Sequence, residues 1–446
     1  RRSRSARSEG SVIFALVPVL SLARRDFTGC ALYRHRRRPV ILILGMPDQS
    51  SGSAPLDGIR VIDLSRVVSG PFCTQSMGDM GADVIKIEQP GAGDESRAFG
   101  PPFLGGESPY YLSVNRSKRS CTLDLKSEVG RSILWRLLDG ADVLIENFRP
   151  GAMGRLGFHY EAVAARFPRL VYCSISGFGD TGPDAGRPGY DLIVQGESGL
   201  MDLTGEAGGP PTRIGTAIGD LTAGMMASQG IMLALYARHT TGRGQHVKVA
   251  MLDAVASLLT YNAGNYFASG ESPTRRGNDH PSVVPYQTLQ AKDGWMNLAV
   301  ANDSLWRRYC DAIERLDLRD DPRFATAPER VQHRGVLIPL IVELTAARTV
   351  QEWLDLLGPA GVPCGRIRTV EQVCTNPQLT ERGKVLDRPH PTADRVRMIG
   401  MPIDLSDTPG RIDNAPPLLG EHTDEVLQGV GYSEVEIRVF REDGVV

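Results

Sequence analysis

The stretch Ile59–Glu88 constrains the fold of this chain more than any other. Ile59–Leu64 is a short β-branched run and reads as a strand. Ser69-Gly70-Pro71 then opens a helix that runs to about Met80, with proline placed where a helix start tolerates it. Gly81 ends that helix, and Ala82–Glu88 is a second apolar run. Strand, helix and strand in so short a span form a βαβ unit, which requires a parallel sheet. The alternation continues. Lys126–Leu138 reads as a helix, Ala141–Glu146 as a strand, Tyr160–Arg166 as a helix and Leu170–Ser176 as a strand. Leu221–Ala237 is a long apolar helix, Gln245–Met251 a strand, and Asp253 opens a helix to about Phe267.

With 446 residues the chain is too long for one simple core. Composition shifts at Ser269–Pro285, rich in Pro, Gly, Arg and Asn, which reads as an inter-domain crossing. A smaller α+β segment follows, with a strand at Trp295–Val300 and helices at Ser304–Arg315, Val336–Thr345 and Thr349–Leu357. Pro391–Pro417 reads as irregular, and a polar loop at Gly420–His422 precedes a closing helix near Ser433–Phe440. The expected division is an N-terminal extension at 1–49, a large α/β domain at 50–268, a small α+β domain at 280–385 and a C-terminal return at 386–446 to the large domain.

The first 45 residues stand apart, with many arginines, two acids and an apolar run, Ser11–Ala23, too short to span a bilayer. They read as a mis-assigned start upstream of Met46 or as a targeting segment. The expected compartment is the cytoplasm, or the mitochondrion if this segment is a transit peptide. A formal net charge of −2 supplies no field to recruit nucleic acid or an anionic membrane. Seven scattered cysteines without a CxxC pair point to a reducing compartment and away from a disulfide framework or zinc site. No metal site is expected.

Gly177-Phe178-Gly179-Asp180-Thr181-Gly182 matches a dinucleotide fingerprint, but Pro183, Gly186, Pro188 and Gly189 forbid the helix that such a site needs. It reads instead as a glycine-rich active-site loop. Gly70-Pro71 at a helix start offers N–H groups to an anion. Lys86, Lys118, Arg119, Lys126, Arg149 and Arg155 recur near strand ends, as a polyphosphate ligand would require or as a solvated surface would show. Asp220 stands at the mouth of the long apolar helix. A carboxylate there can be a cap, worth about 1 kcal/mol, or a nucleophile. Gly219 permits close backbone approach, Ala223 and Gly224 leave space beside the carboxylate, and the helix dipole would keep it ionised at neutral pH.

The ordered set of motifs resembles the family III CoA-transferases, a family that includes formyl-CoA transferase, the carnitine CoA-transferases and α-methylacyl-CoA racemase. Pro55–Leu64, Gly70-Pro71-Phe72, Gly81–Glu88 and Pro90-Gly91 are similar to its opening. Asn115–Ser120, Glu146–Gly151, Ser176–Gly179 and Thr241–Gln245 follow its later signatures in the same order. The resemblance covers roughly residues 55–446. It implies a Rossmann-like large domain with a parallel sheet, a smaller α+β domain, and a homodimer whose two chains interlock. It implies Asp220 as the nucleophile. CoA contacts carried over position by position fall on Val68, Ser69, Leu123, Lys126, Asn147, Phe148, Arg149, Arg155, Tyr190 and Asp191. Gln89 replaces a basic residue that stacks near the adenine in formyl-CoA transferase. No permanently bound cofactor is implied; a coenzyme A thioester is the co-substrate and a carboxylic acid its partner. The racemase branch carries a histidine base where this chain has Tyr190, a poor base at neutral pH, so transfer is favoured.

The run of glycines found in formyl-CoA transferases is replaced here by Arg275–Gln287. With Gly100–Phe103, Glu107-Ser108 and Tyr110–Asn115, this is similar to the branch that moves CoA from succinyl-CoA to dicarboxylates such as glutarate. Arg275, Arg276 and His280 suit a second carboxylate, or form a charged linker.

Overall fold

The computed structural model describes residues 53–446, so the readings of the N-terminal extension lie outside the described residues. Six parallel strands form the central sheet: β1 (Arg60–Asp63), β2 (Asp83–Glu88), β3 (Arg119–Thr122), β4 (Val143–Glu146), β5 (Val171–Ser176) and β6 (His246–Ala250). Their spatial order is β3-β2-β1-β4-β5-β6. Ile62 lies between Ile85 of β2 and Leu144 of β4, which fixes the register at the centre. This is a mixed α/β fold.

Alternate side chains leave opposite faces of each strand. Val61, Val84, Val143 and Val171 meet helices α1 (Ser69–Asp79) and α4 (Ile218–Thr241) on one face. Ile62, Ile85, Leu144 and Tyr172 meet α2 (Glu128–Leu138) and the C-terminal Leu427 and Ile437 on the other. Coverage of both faces is why the strands read as nearly continuous apolar runs. A short helix, α3 (Asp191–Glu197), lies between β5 and α4 in the chain.

A separate antiparallel sheet joins β7 (Tyr286–Gln290), β8 (Trp295–Ala299) and β9 (Cys364–Arg366). It shares a core with Trp306, Phe324, Leu337, Ile341 and Trp353. The buried Arg330 ties that core together, donating to the carbonyls of Val284 and Phe324 and to Asp303.

Three local expectations are corrected. Pro391–Pro417 is not irregular throughout: β10 (Val385–His390) and β11 (Asp394–Ile399) pair as a hairpin. Val396 and Met398 turn inward against Tyr111 and Leu112 while Arg395 and Arg397 face solvent, an alternation that the flanking prolines obscure. The helix from Asp253 is interrupted by a 3-10 turn at Ser257–Leu259 and by Thr260 at a φ of 37°. The strand β3 has no counterpart in the sequence reading, because Arg119-Ser120-Cys121-Thr122 is short and half polar. Its outer edge is closed by the polar loop near His422, whose N–H donates to Ser120 O at 2.9 Å. Thr122 N–H donates in turn to Thr423 Oγ1 at 3.0 Å.

The expected space beside Ala223 and Gly224 is filled. A Cβ at residue 224 would stand 2.5 Å from Ser69 O and 3.2 Å from the Phe72 ring. Gly224 is therefore the point where α1 and α4 touch. Gly224→Ala is expected to destabilise the fold by about 1–3 kcal/mol through overpacking; unchanged thermal and denaturant midpoints would contradict this contact.

Candidate active site

Strand order reverses between β1 and β4, and a doubly wound sheet opens a crevice at the carboxyl ends of the strands at such a point. The loops Leu64–Val68 and Asn147–Pro150 leave the sheet there. The first is held from beneath by buried charge. Asp63 accepts from the Ser65 N–H at 2.8 Å and the Thr74 hydroxyl at 2.6 Å, and faces Lys118 at 3.3 Å. Lys86 bridges Asp94 and the Ser65 carbonyl, each at 2.8 Å. Asp94 also accepts the Val67 N–H at 3.2 Å, holding this β-branched residue at a φ of 67°. A non-glycine residue in that region costs about 1–3 kcal/mol, so the loop needs such anchors. Asn147 completes the clamp, accepting from Arg66 N–H and donating to Arg66 O, both at 2.8 Å, and reaching Ser69 Oγ at 3.2 Å.

Burial alone would raise the Asp63 carboxyl, but Lys118, Lys86 and two hydroxyl donors outweigh it and hold it below its ordinary range. Burial pulls Lys118 down to about 8 against the opposing charge of Asp63. The basic residues at strand ends are expected from sequence to meet a polyphosphate ligand or form a solvated surface, and for Lys86 and Lys118 neither holds. Lys86 and Lys118 are interior counter-ions, and Arg119 is committed to Asp83 and Glu425. Lys126, Arg149 and Arg155 are exposed at the surface or in the crevice.

Asp220 lies in the first turn of α4, two positions beyond its start, and does not cap the helix. The donor just before it is satisfied from outside: Asp191 Oδ1 accepts the Gly219 N–H at 2.7 Å. Burial pushes the Asp220 carboxyl up to about 7, the nearby Asp191 charge adds to this, and the Ser69 hydroxyl works against it. The expectation that Asp220 is ionised at neutral pH is narrowed: with desolvation and a like charge holding its carboxyl at about 7, it is ionised in about half of the molecules there.

Asp220 opens into a cleft of about 360 Å³ with Ser69, Asn147, Arg149, Gly177 and Tyr190 on its walls. Gly177 and Gly189 cross so closely that a Cβ on Gly177 would fall 2.6 Å from the Gly189 Cα. A second cavity of about 180 Å³ is lined by Gln89, Leu123 and Lys126, and shares Arg66 and Phe148 with the first. The Arg66 guanidinium stacks 4.9 Å from the Phe148 ring centre at this junction. Of the residues singled out from sequence, Ser69, Asn147, Phe148, Arg149, Tyr190 and Asp220 meet in the main cleft, and Leu123, Lys126 and Phe148 in its neighbour. Val68 is buried, and neither it nor Arg155 nor Asp191 lines either cavity. Arg275 is held by Asp202 at 2.6 Å and by Gly209 O at 3.1 Å. Arg276 lines a different cavity with Tyr261, and the His280 ring lies against Tyr261 and Tyr286. None of these three lines the Asp220 cleft within this chain.

Sequence reasoning missed Arg66, Glu95 and Arg187, which also line the main cleft. Arg187 stands three residues before Tyr190, close to a stretch that the resemblance already marks. Glu95 carries no pattern of its own.

The family model for CoA-transferase family III matches residues 56–423. The chain belongs to the family III CoA-transferases. It is 38% identical over 393 residues to succinyl-CoA:glutarate CoA-transferase of Homo sapiens, covering 88% of this chain and 90% of that protein. It is 39% identical over 398 residues to succinyl-CoA:mesaconate CoA-transferase of Haloarcula hispanica, covering 87% and 99%. A CaiB/BaiF family protein from Brucella suis matches with a TM-score of 0.77 at 40% identity, covering 85% of this chain and all of that one.

This CoA-transferase pays a stability cost for Asp220. A carboxyl whose folded pKa lies above its unfolded value is neutral in both states at low pH, so the cost is absent there. The unfolded chain ionises first as pH rises, and the cost grows until the folded pKa, about 7, is passed. Asp220→Asn is expected to be more stable than the parent by on the order of 2–4 kcal/mol at pH 8, and nearly equal to it at pH 4. Denaturant titrations at both pH values check this; an equal gap at the two would contradict it.

Proposed function

We propose that this enzyme transfers CoA from succinyl-CoA to a dicarboxylic acid with Asp220 as the nucleophile. The observation that carries this reading is a partly desolvated carboxylate at the switch-point crevice, in a chain whose relatives include succinyl-CoA:glutarate and succinyl-CoA:mesaconate CoA-transferases. The Asp220 carboxylate attacks the thioester carbonyl; the C–S bond breaks and the thiolate leaves a mixed anhydride. The thiolate then attacks the aspartyl carbonyl, releasing succinate and forming an aspartyl-CoA thioester. The acceptor carboxylate attacks that carbonyl, and the thiolate finally takes the new acyl group and frees Asp220. No net proton transfer is required. The Ser69 and Gly70 N–H groups at the start of α1 have no acceptor among the described residues and suit the developing oxyanion.

In this reading Leu123, Lys126 and Phe148 receive the nucleotide end of CoA, and Ser69, Asn147, Arg149 and Tyr190 its pantetheine and acyl end. Val68 and Arg155 contribute from just outside these cavities. The large domain takes in 50–268 with the return at 386–446, and the small domain spans 280–385. The working unit is an interlocked homodimer. One face of α4 packs in the core while the other exposes Met225, Leu233 and Tyr236, and Phe267 beyond it is 81% exposed. A second copy of the chain accounts for such an apolar surface, and would bring its own Arg275, Arg276 and His280 to bear on the acceptor.

Incubation with succinyl-CoA and a panel of mono- and dicarboxylic acids, followed by mass spectrometry, is expected to give new thioesters confined to dicarboxylates. Loss of an α-deuterium from a branched acyl-CoA, with no exchange onto any acid, would replace transfer by racemization. Asp220→Ala should lower turnover at least about 1,000-fold while the affinity for CoA stays within about threefold. Since only the ionised carboxylate attacks, kcat/KM of the parent should fall as pH drops below about 7.

A further inference from the structure

Asp191 opens α3 and reaches across to the first turn of α4. Its Oδ1 accepts the Gly219 N–H at 2.7 Å, and its Oδ2 accepts from Gln195 Nε2 at 2.7 Å. Gln195 is fully buried, and its own Oε1 accepts the Ile214 N–H at 2.9 Å, which fixes the orientation of its amide. Both Asp191 oxygens are thus engaged inside the protein. A Cβ at residue 219 would lie 3.0 Å from Asp191 Oδ1, so the close approach depends on Gly219. The resemblance made Asp191 a CoA contact, yet it lines neither cavity.

The geometry points to Asp191 as a positioning residue that fixes the orientation and sets the charge of the Asp220 carboxylate, rather than as a ligand of CoA. This rests on the reading of Asp220 as the nucleophile. Its hydrogen bond holds the Ile218–Gly219 peptide unit, one unit before the one that leads into Asp220, and so helps to fix the backbone from which the nucleophile projects. Its negative charge makes ionisation of a second, partly buried carboxyl harder. A more basic carboxylate is the stronger nucleophile once ionised. The same bond occupies the Gly219 N–H, which is therefore not available to a developing oxyanion.

Other groups face the pair and must be carried in the titration. The Ser69 hydroxyl on α1 works against the rise of Asp220, and the Tyr110 hydroxyl, raised by burial and then by Asp220 and Asp191, belongs to the helix Pro109–Val114. Tyr190, Glu95, Arg66, Arg149 and Arg187 line the cleft from the surrounding loops. Arg66 is paired with Glu95 and Arg187 with Glu197, so these two cations are already partly compensated.

The test compares pH profiles of kcat/KM, and KM for succinyl-CoA, in the parent, Asp191→Asn and Asp191→Glu. Asparagine keeps an oxygen for Gly219 N–H and removes the charge. Its acid limb should move to lower pH by about one unit, with KM changed less than about twofold. Glutamate keeps the charge on an arm of the wrong length, so its limb should stay in place while kcat falls at least about tenfold. A superimposed limb in Asp191→Asn overturns the assignment. So does a tenfold rise in KM with kcat and limb unchanged in either variant, the signature of a CoA contact. If Asp191→Asn does not fold, the split between kcat and KM in Asp191→Glu decides alone. Peptide mapping of the trapped acyl adduct in the parent keeps the two readings apart. An adduct on Asp220 with an unmoved limb removes only the role of Asp191, whereas an adduct elsewhere removes the nucleophile itself.

Discussion

The buried charge alternation of Asp63, Lys118, Lys86 and Asp94 is the constraint on which the rest of this structure depends. All four side chains are essentially excluded from water. Isolated, any of them would cost several kcal/mol; together they neutralise one another, and each also makes a hydrogen bond to the backbone that follows β1. That backbone includes Val67 in a conformation it would not choose, and Ser69, which lines the same cleft as Asp220. The strained loop and the start of α1 are therefore properties of β1, β2 and β3 acting jointly.

Two electrostatic regimes lie back to back across this loop. Beneath it, carboxylates face lysines, and Asp63 and Asp94 are held ionised despite burial. Above it, burial and the Asp191 carboxylate raise Asp220, and the Ser69 hydroxyl works against them. The same residue type is held below its ordinary range in one place and raised above it in the other; desolvation acts on all of them, and the sign of the neighbouring charge makes the difference. α4 adds a positional element. It is 24 residues long and anchored along one face by the sheet, so its first turn is a rigid mount.

Much of the frame could be read from the chain. Five of the six parallel strands follow from β-branched runs bounded by Gly and polar turns, because a doubly covered sheet writes itself as apolar segments. β3 escaped because it buries a single apolar residue, Cys121, between Ser120 and Thr122, whose partners Glu88 and Thr423 lie far along the chain. The hairpin at Val385–Ile399 escaped because prolines dominate its neighbourhood. At the site, Asp220 was legible as a residue but not as a chemical state. Its protonation depends on Asp191 and on burial, and neither distance nor solvent exclusion is visible in a linear pattern. Lys86 and Lys118 show the converse, since an interior cation and a phosphate ligand look alike in sequence.

The crossing of Gly177 and Gly189 has an evolutionary consequence. Each residue occupies the volume that a side chain on the other would need, so neither can be exchanged independently while the two backbones remain in contact. The segment between them is under no such restriction. It begins and ends at one fixed point on the wall of the cleft, and a loop closed at its base can lengthen, shorten or change composition at small entropic cost. Descendants of this chain can therefore retune what enters the cleft by rewriting Phe178–Pro188, while the frame that holds Asp220 is inherited unchanged.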